Sequence, residues 1–328
     1  MHISRAAHTT LIRAVRSAVV AAACILAVAA GPLPLLAQSP QQSTFKSAGE
    51  AVEALVAAVK ADGTSALLAV LGHDADEIVD SGDPVADKAI RERFLTAYEQ
   101  AHELVSAGEG KSTLVIGTEK FPFPIPIVAE NGAWRFDTEA GADEILTRRI
   151  GENENNTMLA MLAFAVAQDD YAAADRDGKG PQYARRLMSS PGKKDGLYWP
   201  ASAGEQESPL GPLIAEAQAA GYKAGRGGAE TSQPFNGYVF KMLYGQSNAA
   251  PDGARDYIVN DRMIGGYALI AAPASYGNSG VMTFMISHAG VLYQKDLGPD
   301  SRRIASGMKI FDPDDSWEIV LLDPLLVE

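Results

Sequence analysis

Apolar positions recur at steps of three and four through residues 48–59, where Ala51, Val52, Leu55, Val56 and Val59 fall on one face, so this stretch predicts an amphipathic helix. Asp62-Gly63 ends it, a second short helix is expected over 64–71, and a third over 84–105, where Ile90, Phe94, Leu95, Tyr98, Ala101 and Leu104 share a face. After Gly108 the period shortens to that of strands. Residues 112–116, 123–128 and 133–136 predict three antiparallel strands, with Pro122, Pro124 and Pro126 pushing the middle one toward an edge and Asn131-Gly132 forming a hairpin turn. Three helices before a meander imply helices packed on a small antiparallel sheet, an α+β arrangement.

A long helix is expected over 138–174, entered at Asp137-Thr138-Glu139 and carrying Ile145, Leu146, Ile150, Leu159, Leu162, Phe164 and Val166. Gly151 and the polar cluster 152–156 predict a break or bend in it. Residues 178–233 are rich in Gly, Pro and Ser, with one helix at 209–220. Strand signals follow at 238–244, 266–272, 281–287 and 291–295, the last two flanking the hairpin residues Ser287-His288-Ala289-Gly290. A helix at 301–308 and a strand at 317–322 complete a C-terminal antiparallel sheet packed with helices. The expected organisation is therefore an N-terminal α+β domain (38–137), a linking helix (138–174) and a C-terminal α+β domain (175–328).

The first 37 residues stand apart. Arg5, Arg13 and Arg16 lead into an apolar run over 18–30, no acidic residue appears, and Gly31-Pro32 ends the run well short of the ~20 residues of a spanning helix. This is the layout of a signal peptide, with cleavage expected after Ala37, and it predicts a periplasmic or secreted protein with no transmembrane helix after cleavage. Cys24, preceded by Val20-Ala21-Ala22-Ala23, resembles a lipoprotein cleavage box, but much of the apolar run lies beyond it. Cleavage removes the one cysteine, so disulfides, thiolate nucleophiles and cysteine-ligated metals are excluded from residues 38–328. It also leaves 25 basic against 41 acidic residues, a formal charge of −16, which repels nucleic acid and anionic lipid.

Six strings in order carry a resemblance over nearly the whole of this mature chain: WRFDTE at 134–139, RRIGENE at 148–154, GLYWP at 196–200, MIGGY at 263–267, YGNSGVMTF at 276–284 and YQKDLGP at 293–299. Together they resemble the bacterial DUF2950 family. The resemblance implies an exported protein and carries over no catalytic residue. Residues 158–171, the Asp-Gly loop after them, Tyr183-Ala184 and the later sheet also resemble the globular heads of type IV pilins and pseudopilins. Pilins begin with a long hydrophobic helix, whereas here an α+β domain precedes the helix, which argues against pilin-like polymerisation.

Three groups of residues are candidates for chemistry. Asp169, Asp170, Asp175 and Asp177 around an Asp-x-Asp-Gly sequence offer carboxylates for Ca2+, although the position of a closing bidentate Glu is held by Arg185 or Arg186. The plain alternative is that Asp175 and Asp177 bond their own backbone in a turn. Asn278 and Ser279, within Gly277-Asn278-Ser279-Gly280, are similar to a serine-protease nucleophile turn, but His73, His102 and His288 are the only histidines left to act as base and none sits in a catalytic context. Nor do they show zinc spacing. Tyr198, Trp199, Asn236 and Tyr276, with Tyr238 and Tyr267 in strands, suit recognition of an envelope protein or glycan; they also suit packing, evenly for Tyr198 and Trp199 and by preference for Tyr238 and Tyr267. The helices on the first sheet are similar to the NTF2-like fold, an analogy of fold alone. The expected function is a non-enzymatic envelope binding or assembly module. The alternative is a periplasmic hydrolase or small-ligand-binding protein.

Overall fold

The structure, a computed structural model, describes residues 42–176, 178–202, 204–223 and 233–321. The expected signal peptide with Cys24, and Asp177, lie outside the described residues. From residue 42 onward the described chain belongs to one compact unit.

Ser47 caps the first helix, α1 (Ala48–Lys60), by accepting the Glu50 amide at 3.1 Å, and the Glu50 carboxylate accepts the Lys46 amide in return. Its expected stripe is buried. Helix α2 (Thr64–Leu71) stops at Gly72, whose φ of +93° suits glycine. A 3-10 turn (His73–Ala75) and a four-residue helix, α3 (Asp76–Val79), follow, neither of them anticipated. Asp83 then caps α4 (Pro84–Gln100), with proline at the first helical position.

The expected third helix ends five residues early. Ala101 is extended, and the residues after it form β1 (His102–Ser106), paired in full register with β2 (Lys111–Ile116). The backbone bonds of that ladder outweigh the weak continuation of helical spacing through Ala101 and Leu104, and Leu104 is left exposed. Strand β3 (Phe121–Pro122) pairs with β2. Strand β4 (Ile127–Glu130) begins only after Pro126, because the alternate prolines of the expected strand 123–128 have no amide to donate to a ladder. β5 (Ala133–Phe136) closes the sheet through Asn131-Gly132, both at positive φ as a two-residue hairpin requires. The order is β1-β2-β4-β5, and α1, α2, β2, β4 and β5 enclose the first core.

Helix α5 (Thr138–Ala173) runs unbroken for 36 residues, so the expected break near Gly151 does not occur. Asn153 of the polar stretch is buried and donates to the Ser279 carbonyl, so its side chain takes no part in ending the helix. After α6 (Gly211–Ala219) come β6 (Tyr238–Leu243), two small hairpins made of β7 (Gly245–Gln246) with β8 (Arg255–Asp256) and β9 (Ile258–Val259) with β10 (Arg262–Met263), then β11 (Ala268–Pro273), β12 (Met282–Ser287), β13 (Leu292–Asp296), α7 (Ser301–Gly307) and β14 (Glu318–Ile319). The large antiparallel sheet has the order β14-β13-β12-β11-β6. α5 packs on β12, α7 packs on β11 and β6, and all six residues of β11 are buried, as both-sided cover demands. This is an α+β fold with two apolar cores. Among the described residues no helix is long and apolar enough to cross a membrane.

Candidate functional site

Between the two cores lies a layer of buried polar side chains, whose burial is offset by the hydrogen bonds they make, Arg149 Nε and Thr157 Oγ1 being left without a partner. Helix α5 supplies Arg149, Asn153 and Thr157, which at steps of four lie on one stripe, all of them buried. The Arg149 guanidinium donates to the carbonyls of Glu77, at 2.7 Å, and Ile78, at the end of α3, and to Asn278 Oδ1. It therefore satisfies carbonyls that a helix end leaves open. Asn278 completes the bridge by donating from Nδ2 to the Asp80 carbonyl at 2.9 Å. Asn153 donates to the Ser279 carbonyl at 2.9 Å, and Glu154 Oε1 accepts the amides of Val281 and Met282, both at 2.9 Å.

A second crossing runs through Asp83. One carboxylate oxygen caps α4, and the other accepts the Gly237 amide at 3.0 Å and the Tyr222 hydroxyl at 2.9 Å. Asp87 accepts the Ser81 amide through both oxygens. Burial raises the Asp87 pKa, against the pull of the Ser81 bonds and Arg149, and burial lowers that of Arg149, against Asp87 and Asp80. Two glycines let the backbones close in. A Cβ at Gly237 would press on the Asn153 amide, and one at Gly280 would overlap the Tyr238 hydroxyl.

This layer decides the chemistry of the serine candidate. Ser279 is 0 % exposed, its Oγ accepts the Ser275 amide at 2.9 Å and donates to the Ser275 carbonyl at 3.1 Å, and no hydrogen bond joins it to a histidine among the described residues. His73 lies in the 3-10 turn, and His102 stacks on Tyr98 on β1. His288, beyond β12, is wedged edge-on against Tyr257 and Tyr267, with Arg255 Nη2 3.3 Å from its Nε2. A guanidinium only donates, so Nε2 accepts, and burial followed by the Arg255 charge lowers the His288 pKa.

The other candidates occupy separate neighbourhoods. Asp175 accepts the amides of Lys179 at 3.1 Å and Gly180 at 3.0 Å, closing its own loop, while Asp169 and Asp170 sit exposed at the end of α5, where Asp169 is 3.4 Å from the Tyr267 hydroxyl. Among the described residues no three His, Cys, Asp or Glu side chains gather as a metal site. Trp199 is buried, its indole N–H held by the Gln206 carbonyl and its ring flanked by Arg176 and Lys194, whereas Tyr198 pairs through its backbone with Leu187 and Ser189. Tyr238 and Tyr267 are core residues. Asn236, at φ +50°, shapes the turn before β6. Tyr276 borders an open cleft, of about 710 Å³, where it stands with Ser275 opposite Asp300, Arg302, Arg303 and Ser306 of the α7 region. Its hydroxyl donates to Asp296 at 3.1 Å.

The model of the DUF2950 family, described as a protein of unknown function, matches residues 42–320. This chain belongs to the DUF2950 family. No curated protein and no solved structure matches it. In this DUF2950 protein the strings at 148–154 and 276–284 meet in the buried layer, through Arg149, Asn153, Glu154, Asn278 and Ser279. Sequence reasoning missed Arg149, Asn153, Asp83 and Arg302. The four-residue spacing of Arg149, Asn153 and Thr157 was the one available signal for the first two.

Proposed function

We propose that this DUF2950 protein is exported and works in the periplasm or outside the cell as a non-enzymatic binding or assembly module, meeting an envelope protein or glycan at the cleft beside Tyr276. The observation that carries this reading is the two-sided turn 275–280. Its inner side, Asn278 and Ser279, is spent on holding the two cores together, and its outer side, Ser275 and Tyr276, opens onto the cleft. A hydrolase built on Ser279 would need a free hydroxyl and a base, and this hydroxyl is closed onto Ser275. The basic, acid-free, apolar stretch 1–37 supports export. In this reading the sheet and long helix of the C-terminal part present the cleft much as a pilin-like head presents its surface, and the NTF2-like analogy of the first part adds a scaffold.

The test combines fractionation and co-sedimentation. The full chain, expressed in a Gram-negative host, is expected in the periplasm or medium with its N-terminus at Gln38, and the purified exported protein is expected to sediment saturably with isolated envelopes. Ser279→Ala should leave that binding intact. An uncleaved cytoplasmic chain, or a hydrolytic activity that Ser279→Ala abolishes, would overturn the reading.

A further inference from the structure

The cleft differs in charge from the chain around it. Residues 38–328 carry −16 formally, yet the α7 wall presents two guanidiniums on successive positions, Arg302 and Arg303, both exposed. Arg303 is already engaged, with Nη2 2.9 Å from Asp300 Oδ2. The Arg302 side chain makes no hydrogen bond or ion pair to any described residue, and this exposed residue lines the cleft. A third cation stands close by, since the Lys241 ammonium donates to the carbonyls of Ser306 and Met308, at 2.8 Å for Met308. Those carbonyls form the negative end of α7, and Lys241 neutralises the charge that would otherwise repel an anion there. Beside the facing wall, the Asp296 carboxylate is occupied by the Tyr276 hydroxyl and the Gly298 amide.

We propose that this cleft binds an oxyanion, a carboxylate or phosphate borne on a polyhydroxylated molecule, with Arg302 as the principal anchor and the Tyr276 ring as the platform for the carrier. A planar guanidinium fork matches both oxyanions in a two-bond arrangement. The volume suits one or two saccharide-sized units. Ser275 and Ser306 place hydroxyl-bearing side chains along the same cleft, where they face the carrier's own hydroxyls. Asp300 is a built-in competitor, because it holds Arg303 away from the ligand. The inference rests on the binding-module reading and names the chemistry of its ligand.

Calorimetric titration of the exported protein with a galacturonate oligomer, a glycerol-phosphate oligomer, inorganic phosphate and a neutral glucose oligomer tests it. Binding of either acidic oligomer, absent for the neutral one and weakening as salt rises, is expected, and the two acidic arms identify carboxylate or phosphate as the source. Arg302→Ala should weaken binding about tenfold or more, the loss expected for one charge-assisted hydrogen-bonding group. Asp300→Asn should tighten it by freeing Arg303. Circular dichroism checks that both exposed-site variants remain folded. Equal binding of the neutral oligomer, or undiminished affinity in Arg302→Ala, overturns the proposal, as does failure of all four ligands. Envelope co-sedimentation separates the two levels: if Arg302→Ala sediments as well as the parent, the oxyanion cleft falls and the binding module stands, and if the parent itself does not sediment, the module falls.

Discussion

Replacing Arg149 by Met tests whether the polar layer holds the two cores together. The substitution keeps much of the side-chain volume and helix propensity, so what changes is the guanidinium. Without it the carbonyls of Glu77 and Ile78 and the Asn278 side-chain oxygen lose a charged donor, and Asp87 loses the cation that opposes its burial. Breaking a buried charged network from one side costs about 3–5 kcal/mol, a large part of the ~5–15 kcal/mol that holds a typical domain folded. For a chain of this size that is a fall in melting midpoint on the order of 10 °C. Urea denaturation followed by tryptophan fluorescence and circular dichroism measures it. Arg149→Lys, which keeps the charge and loses the fork, should fall between the two. The double variant with Asn278→Ala should cost less than the two singles added, by about 1 kcal/mol or more, because the two residues share one bond. A loss under about 1 kcal/mol for Arg149→Met with full additivity would refute the argument, since a layer so easily dispensed with would not be joining the cores.

Gly280→Ala should destabilise by roughly 1–3 kcal/mol through overlap with the Tyr238 hydroxyl, and Tyr238→Phe should recover part of that loss in thermal melts. Ser279→Ala should cost about 1–2 kcal/mol, the Ser275 amide losing its acceptor, with no change in envelope binding. Asp87 has a folded-state pKa raised above the ordinary 3.8, so the folded state binds the extra proton, and its contribution to stability falls as pH rises from 3.8 through the folded value. Subtracting the stability of Asp87→Asn from that of the parent across a pH series should show this downward slope, and a flat or rising difference would count against it. Melts in calcium and in chelator should superimpose, because both Asp175 oxygens already accept backbone amides, and a calcium-dependent rise would restore the metal reading.

The helices α1 and α2 were legible because each buries one face and its periodicity records which, β5 because Asn131-Gly132 marks the hairpin before it, and β12 because its apolar run is buried on both faces. Residues 102–105 carry a helical pattern because Ala101 and Leu104 continue the spacing of α4 by chance. Their true partner is a ladder, and Leu104 ends up exposed, so burial left no mark there. The polar stretch 152–156 resembles a break for a related reason. A buried polar residue and a solvated one look alike until the partner is known, and the partner of Asn153 stands 126 positions along the chain. Asp83 shows both sides in one residue. Its capping of α4 is local and readable before Pro84, whereas its hold on Gly237 crosses 154 positions and is not.

That distinction bears on why the turn 275–280 resembles a catalytic element. A nucleophile turn and a docking turn need the same backbone properties: glycines that allow close approach, and small polar side chains at the apex. What separates them is where the apex side chains spend their hydrogen bonds. Here Ser279 spends both on Ser275, and Asn278 divides its amide between Arg149 and Asp80, so the apex is committed to structure. Ser275 and Tyr276, just outside the apex, line the cleft. The turn thereby fixes one wall of the cleft to the polar layer through the Ser275 backbone, and the other wall is fixed to the sheet by Lys241 holding the end of α7. A cleft with both walls anchored loses little freedom when it takes a ligand, which is the property that a binding module needs and an open loop lacks.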